Sequence, residues 1–490
     1  MNPLVFIKTV YLPRPTNDDR RAYDQRIKDA LNLHPLEIPL SVLRNIPSLC
    51  REDASLTCTI GRLENGYRLI DIGKEQSYSV ALDLGTTNLV ALLFDNSSQK
   101  PVLTRSLENP QIEYGSDIIT RMHSVLSGSS SEVYQALLEG VNRLITILCR
   151  DSKIDHSTIH AMTVAGNMAM GHFFLGLDIS SIPVEPFAPV VRSPGFLTAS
   201  ELQLRINPDA LVYVFPNAGS YVGGDITAGI LASGMFQSDK VSILIDVGTN
   251  AEVVIGNRDW MIVGAGAAGP ALEEGICRIG KRANKGIVYD VEIADTRITC
   301  RTFDQGRPEG ICGSGMVSLL YELYKAGMID KSGTLRDGAN IVTVDGEKAF
   351  SISCDCSDSL SITQSEIQNF MKSKAAMFTL LLVLTRAVGI TFRDIEAVYV
   401  AGALGTGINA EKAVGIGMLP AWPPEIVRPL GNSSLEGARM LLADGGILQT
   451  VNDIVAKITY KPMNDDPHFM QEYRGAIFIP HTNPEILKVD

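Results

Sequence analysis

Two short stretches of this chain set an aspartate, a glycine and a threonine in an order suited to holding phosphate. The first is Asp83-Leu84-Gly85-Thr86-Thr87-Asn88 and the second is Asp246-Val247-Gly248-Thr249-Asn250. In each, the aspartate ends an apolar run and the chain turns at glycine, where positive φ and close backbone approach are available. Successive N–H groups in such a turn converge on one anion. Thr86, Thr87 and Thr249 add hydroxyl donors beside them. Asp83 and Asp246 suit a hydrated Mg²⁺, which takes one or two carboxylates together with phosphate oxygens and retained waters. Phosphoryl transfer asks mainly for this positioning and charge neutralisation. Either stretch alone could be an ordinary Asp-Gly hairpin. Two copies, each with Thr directly after Gly and apolar strands on both sides, are much harder to assign to turn chemistry.

A third element is Val398-Tyr399-Val400-Ala401-Gly402-Ala403-Leu404-Gly405-Thr406-Gly407. A strand ending in spaced glycines offers a floor on which a flat adenine ring can lie against backbone. Gly313, Ser314 and Gly315 precede a helical segment, and small residues at a helix N-terminus can hold an anion or a ribose. Two other stretches imitate nucleotide motifs. Gly264-Ala265-Gly266-Ala267-Ala268-Gly269 spells a dinucleotide fingerprint, with Asp290 about 20 residues on. Its strand, however, reads as the last of a meander begun at Asp246, whereas the fingerprint opens a parallel βαβ unit. These glycines, Gly269 among them, are expected instead to let a helix N-terminus approach the same phosphates. Gly275-Ile276-Cys277-Arg278-Ile279-Gly280-Lys281 nearly spells a P-loop, but Arg282 stands where Ser or Thr must reach the metal. His172 reads as a satisfied core residue rather than a ligand.

The elements that must position these residues alternate between β-type runs and helical periodicity, which indicates an α/β fold. The repeated hairpin implies two like halves with a cleft between them; Asp83 and Asp246 are expected to face each other across it. Residues 1–77 read as a separate small α+β unit, with a strand, two short helices and a hairpin. Residues 78–240 form the first half and 241–490 the second. The apolar stretch from Ala375 to Phe392 is broken by Thr379, Thr385 and Arg386. It is too short on uninterrupted count for a membrane span, and a buried helix is expected.

Composition narrows the class further. At 490 residues, 45% hydrophobic and 20% charged, the chain is globular. A net charge of -12 argues against a nucleic-acid scaffold. No signal peptide is legible, and the eight cysteines are scattered without a C-x-x-C pair, as in a reducing cytoplasm. Cys354 and Cys356 form a C-x-C, read as two reduced thiols near a turn. From the residues alone, three readings stay open: an ATP-using enzyme, a small-molecule kinase, and an ATP-gated binding or chaperone-like protein.

Several longer stretches carry a closer resemblance. They include ENPQIEYGSDIITRM (108–122), VAGNMAMGHFFLGLD (164–178), PNAGSYVGGDITAGILASGM (216–235), LIDVGTNAEVVIGNRDWMIVGAGAAGPALEEG (244–275), GICGSGMVSLLYELYKAGMIDKSG (310–333), ITQSEIQNFMKSKAAM (362–377) and VYVAGALGTGINAEKAVGIGMLP (398–420). In this order they resemble the reductive activators of corrinoid proteins, within the superfamily of acetate kinase, sugar kinases, Hsp70 and actin. The resemblance covers nearly the whole chain, with residues 1–77 similar to that family's linker region. It implies duplicated actin-like (RNase H-like) subdomains flanking a nucleotide cleft. It also implies ATP with Mg²⁺, and reduction of cob(II)amide to cob(I)amide on a corrinoid protein of a methyltransferase system. Asp83, Gly85, Thr86, Thr87 and Asn88 would form the first phosphate hairpin; Asp246, Gly248, Thr249 and Asn250 would form the second. Gly402, Ala403 and Gly405 would lie in the adenosine floor.

The chain departs from that family in two respects. Its members commonly carry an iron–sulfur domain with a cysteine cluster, and no such cluster is legible here. That implies a separate low-potential, ferredoxin-like electron donor and no intrinsic iron–sulfur cluster, or else a member that docks on a corrinoid protein without reducing it. The adenosine floor commonly has two adjacent glycines, and here the second is Ala403. Were left-handed φ required there, alanine would cost about 1–2 kcal/mol.

Overall fold

The strand that carries Asp83 as its penultimate residue, Tyr78–Leu84, is apolar at nearly every position because neighbours cover it on both faces. It sits third in a six-stranded sheet, between an antiparallel hairpin partner and a parallel strand that arrives about 75 residues later, far more than the roughly dozen residues a crossover connection needs. The computed structural model describes residues 2–49, 54–219, 222–248, 251–266, 277–281, 284–294, 297–352, 360–402 and 408–489. They fall into two compact units, Met1–Ala232 with Ser434–Ala456, and Ser233–Ser433 with Lys457–Asp490.

The first unit opens with a four-stranded sheet. Its strands are β1 (Val5–Leu12), β2 (Leu36–Glu37), β3 (Ala54–Leu63) and β4 (Gly66–Ile72), in the order β1-β3-β4-β2. Helices Tyr23–Leu31 and Leu40–Leu49 supply Ile27, Leu31, Val42 and Ile46 to the core beneath it, against Ile60 and Leu69. The larger sheet follows with β5 (Tyr78–Leu84), β6 (Asn88–Asp95), β7 (Lys100–Glu108), β8 (Ile159–Gly166), β9 (Phe196–Thr198) and β10 (Leu211–Val214). The order is β7-β6-β5-β8-β10-β9. Helix Ser130–Ser152 lays Val133, Leu137, Val141, Leu144 and Leu148 into this core, the spacing of an amphipathic helix. The late segment Ser434–Ala456 belongs to this unit as well. Thr163 Oγ1 donates to the Ala438 carbonyl at 2.9 Å. Gly437 packs so close that a Cβ there would meet the Ala228 carbonyl oxygen at 2.1 Å.

The second unit repeats the plan. Its strands are β11 (Ser242–Val247), β12 (Ala251–Gly256), β13 (Met261–Gly266), β14 (Ile287–Ala294), β15 (Arg297–Thr302), β16 (Gly310–Ile311), β17 (Ile341–Val344), β18 (Glu347–Ile352), β19 (Leu360–Thr363), β20 (Ala397–Gly402), β21 (Val427–Gly431) and β22 (Ile458–Tyr460). The six-stranded sheet runs β21-β20-β11-β12-β13-β22, and two three-stranded sheets, β15-β14-β16 and β17-β18-β19, stand beside it. In both large sheets an antiparallel meander (β5-β6-β7, β11-β12-β13) is joined on its first strand by two parallel strands (β8 and β10, β20 and β21). The duplication therefore extends well beyond the two hairpins. The expected buried helix is Gln364–Ala387, opened by a Thr363–Glu366 capping box and buried along most of its length. Among the described residues no helix is long and apolar enough to cross a membrane.

Candidate functional site

Asp83 is the penultimate residue of β5, half-buried at the strand's C-terminal end. Its Oδ1 accepts a hydrogen bond from Ser434 Oγ at 2.9 Å. Gly85 turns so tightly that a Cβ would meet the Asn88 carbonyl oxygen at 2.4 Å, so the hairpin admits only glycine there. Thr86 is buried, and its hydroxyl accepts from Asn167 Nδ2 at 3.0 Å. Asn167 follows β8 directly and caps helix Met168–Leu175 through Oδ1. Helix Gly224–Ser233 brings a second carboxylate to this end of the sheet. Gly223 lets its first turn press against Asn167, with 2.4 Å from a virtual Cβ to Asn167 Cα. Burial raises the Asp225 carboxyl to about 6, and the charge of Asp83 pushes the same way. Asp83, Thr86, Asn167, Asp225 and Ser434 thus gather within the first unit.

In the second unit Asp246 occupies the matching place, penultimate on β11 and half-buried. Ser433 Oγ donates to its Oδ2 at 3.2 Å. The parallel pairing of β11 with β20 sets Val247 opposite Gly402. Gly402 has φ +69, and a Cβ there would meet the Val247 carbonyl oxygen at 2.2 Å and Asp246 Oδ1 at 2.7 Å. The glycine floor expected from sequence therefore begins against the Asp246 hairpin. Gly248 is described; Thr249, Asn250, Gly269, Ala403, Gly405, Cys354 and Cys356 lie outside the described residues.

Gly313, Ser314 and Gly315 open helix Gly313–Lys325 and are all buried. Gly315 has a packing role, since a Cβ would meet the Val288 carbonyl oxygen of β14 at 2.3 Å. The fingerprint glycine Gly264 lies inside β13 and Gly266 ends it, antiparallel to β12, whereas the fingerprint opens a parallel unit. Gly264 makes room for Met463, Leu380 and Leu384, and its place on the last strand of the meander is the one expected from sequence, while the helix start expected from Pro270 lies outside the described residues. Asp290 is taken by Lys412 Nζ at 2.8 Å and Ser318 Oγ at 2.7 Å, so it offers no carboxylate to a ribose. His172 is satisfied, its Nδ1 near the Met168 carbonyl at 2.8 Å and its Nε2 accepting from the Val190 amide at 3.2 Å. A Ser77–His160–Asp71 chain has triad-like contacts of 3.0 and 3.3 Å, but Ser77 is 1% exposed. It joins β4 to β8 and cannot act as a nucleophile.

The donor set fits a metal-bound nucleotide. Each hairpin has a carboxylate near a strand end; in the first, Gly85 has no room for a Cβ beside the Asn88 carbonyl, and in the second, Gly402 of the neighbouring strand lies against Asp246. Asn109, Gln111, Arg121, Asn167, Asp225, Ser433 and Ser434 were not singled out from sequence, although five of them fall inside stretches quoted for the resemblance. Isolated Asn, Ser and Arg residues carry no spacing signature. The Gly-Gly-Asp before residue 226 reads as an ordinary helix start.

Three family models cover the chain. Residues 1–77 match the RACo linker region, 78–238 the RACo middle region, and 240–489 the C-terminal domain of RACo, its ASKHA domain. A corrinoid activation enzyme of Eubacterium limosum, RamQ, is 31% identical over 430 residues, which is 84% of this chain and 72% of that one. The [Co(II) methylated amine-specific corrinoid protein] reductase of Methanosarcina barkeri is 25% identical over 416 residues, 78% of this chain and 73% of its own. Among solved structures, a reductive activator for a corrinoid, iron–sulfur protein superposes with a TM-score of 0.93 at 33% identity, covering 99% of this chain and 80% of that one. The expected α/β fold of duplicated actin-like subdomains with an N-terminal linker region is the observed one.

Proposed function

The chain belongs to the family of reductive activators of corrinoid proteins, and we propose that it uses ATP with Mg²⁺ to drive reduction of cob(II)amide to cob(I)amide on a corrinoid partner. The observation that carries this reading is the pair of aspartates, Asp83 and Asp246, each penultimate on the first strand of a duplicated sheet and each followed in sequence by Gly-Thr. Bound Mg²⁺ would neutralise phosphate charge. Asp83 and Asp246 are assigned to that metal and to orienting the attacking water. Gly85, Thr86, Thr87 and Asn88 hold phosphate, as do Gly248, Thr249 and Asn250. Gly402, Ala403 and Gly405 carry the adenosine. Asp225, whose carboxyl burial raises to about 6, is a further carboxylate beside this hairpin.

Electrons are assigned to a separate low-potential donor. For a one-electron couple, about 59 mV changes the equilibrium tenfold. A nucleotide that binds one state of the complex more tightly can supply a bias of this size. The test is spectroscopic, using a cob(II)amide-loaded corrinoid protein, an external reductant and this chain. Cob(I)amide should accumulate only when ATP is added. ATP binding with no cob(I)amide would instead make this a non-reducing, ATP-gated binding protein, and ATP consumption stimulated by a small acid or sugar alone would make it a kinase.

A further inference from the structure

Behind the first hairpin lies a buried arginine that the proposed chemistry has not used. Arg121 is 0% exposed. Its Nη2 donates to the Thr86 and Gly115 carbonyls, both at 3.0 Å, and Nη1 donates to Gln111 Oε1 at 3.0 Å. Its Nε has no hydrogen-bond partner. Burial drives its guanidinium down to about 10, and the Asp117 carboxylate, which makes no ion pair with it within 4 Å, opposes that only in part. A cation so placed is costly unless an anion compensates it.

Asn109 works on the same turn from the same side. Its backbone N–H donates to the Thr87 carbonyl at 2.8 Å and its Nδ2 to the Gly85 carbonyl at 3.0 Å. Three consecutive carbonyls, those of Gly85, Thr86 and Thr87, are therefore held from behind. In a trans peptide the C=O and the next residue's N–H point in opposite directions. Holding the Gly85 and Thr86 carbonyls back turns the Thr86 and Thr87 amides forward.

We propose that Arg121 and Asn109 are positioning residues for phosphate: they clamp the hairpin's carbonyls so that its amides face the anion, and the Arg121 charge awaits that anion's compensation. This inference rests on the assignment of residues 83–88 to nucleotide phosphate. Arg121 acts through the Thr86 carbonyl and need not touch the ligand. The ligand class is a nucleoside triphosphate or diphosphate, and adenosine without phosphates should be indifferent to the clamp.

The experiment compares ATP, ADP and adenosine binding by calorimetry on the full chain. Arg121→Met should weaken ATP about tenfold or more while leaving adenosine unchanged, and Arg121→Lys should restore part of the loss. Asn109→Asp guards against misfolding. A carboxylate can still accept from the Gln111 amide, as Asn109 Oδ1 does at 3.0 Å, but it cannot donate to Gly85 and it adds negative charge. It should fold and still bind ATP about tenfold more weakly. If both variants keep wild-type discrimination between ATP and adenosine, or lose both ligands in equal proportion, the clamp is only structural and the inference falls. If the wild-type chain binds no ATP at all, the functional reading falls with it.

Discussion

The two large sheets are built to one plan but finish their turns by different means. Asp83 pairs with Ala165 and Leu84 with Gly166; Asp246 pairs with Ala401 and Val247 with Gly402. The parallel strand beside each aspartate thus ends in Val-Ala-Gly, at 164–166 and again at 400–402. In both, that glycine lies under a carbonyl of the hairpin strand, with 2.8 Å from a virtual Cβ to Leu84 O and 2.2 Å to Val247 O. Then the halves diverge. Gly402 takes φ +69 while Gly166 does not, and Asn167 follows the first glycine where Ala403 follows the second. Asn167 ties Thr86 and caps a helix, which an alanine side chain cannot do. The contrast among the described residues is between a side chain that ties Thr86 in the first half and a left-handed glycine set against the aspartate strand in the second.

The sharpest way to break this comparison is at the paired glycines. Gly402→Ala must place a Cβ at left-handed φ and against the Val247 carbonyl, and should cost about 3–5 kcal/mol. Gly166→Ala meets a looser contact at ordinary φ, and about 1–3 kcal/mol is expected. Denaturant unfolding of both variants measures the difference; equal costs would erase the asymmetry.

The buried cations of the two halves offer the next contrast. Lys374 is 0% exposed and donates to the Ala476, Phe478 and Pro480 carbonyls at 2.5, 2.5 and 3.0 Å. It fastens the C-terminal segment. Lys374→Met leaves three acceptors without that donor and should lower stability by about 3 kcal/mol, with ATP affinity of the folded protein unchanged. Loss of ATP affinity without loss of stability would contradict its assignment as a fastener.

Asn167→Ala removes a helix cap and the donor to Thr86, and should cost about 1 kcal/mol of stability together with a several-fold loss of ATP affinity. The smallest effects are expected at the serines. Ser434→Ala and Ser433→Ala each delete one bond to a half-buried carboxylate. Ser434, at 2.9 Å from Asp83, should matter more than Ser433, at 3.2 Å from Asp246, each by about 1 kcal/mol or less. Calorimetric titration of ATP into both ranks them.

Much of this architecture was legible from residues. The hairpins announce themselves because aspartate, glycine and threonine recur in fixed order between apolar strands, and the strand meander after Asp246 discounted the dinucleotide fingerprint. The Val-Ala-Gly repeat is too short to stand out, and its meaning lies in strand register. Arg121 and Asn109 escaped notice because their partners are backbone carbonyls, which leave no pairing pattern in a sequence. Asp225 escaped because its environment comes from burial and from Asp83, a residue 142 positions earlier. The return of Ser434–Ala456 to the first unit is likewise a tertiary fact with no local cue.

The central claim is that Asp83 and Asp246 hold the metal of a bound nucleotide. Titrating ATP into the wild-type chain, Asp83→Asn and Asp246→Asn, each with and without Mg²⁺, tests it most directly. The account predicts that Mg²⁺ tightens wild-type binding and that each substitution removes about tenfold or more of that gain. Either variant retaining the full Mg²⁺ dependence of the wild type would contradict it.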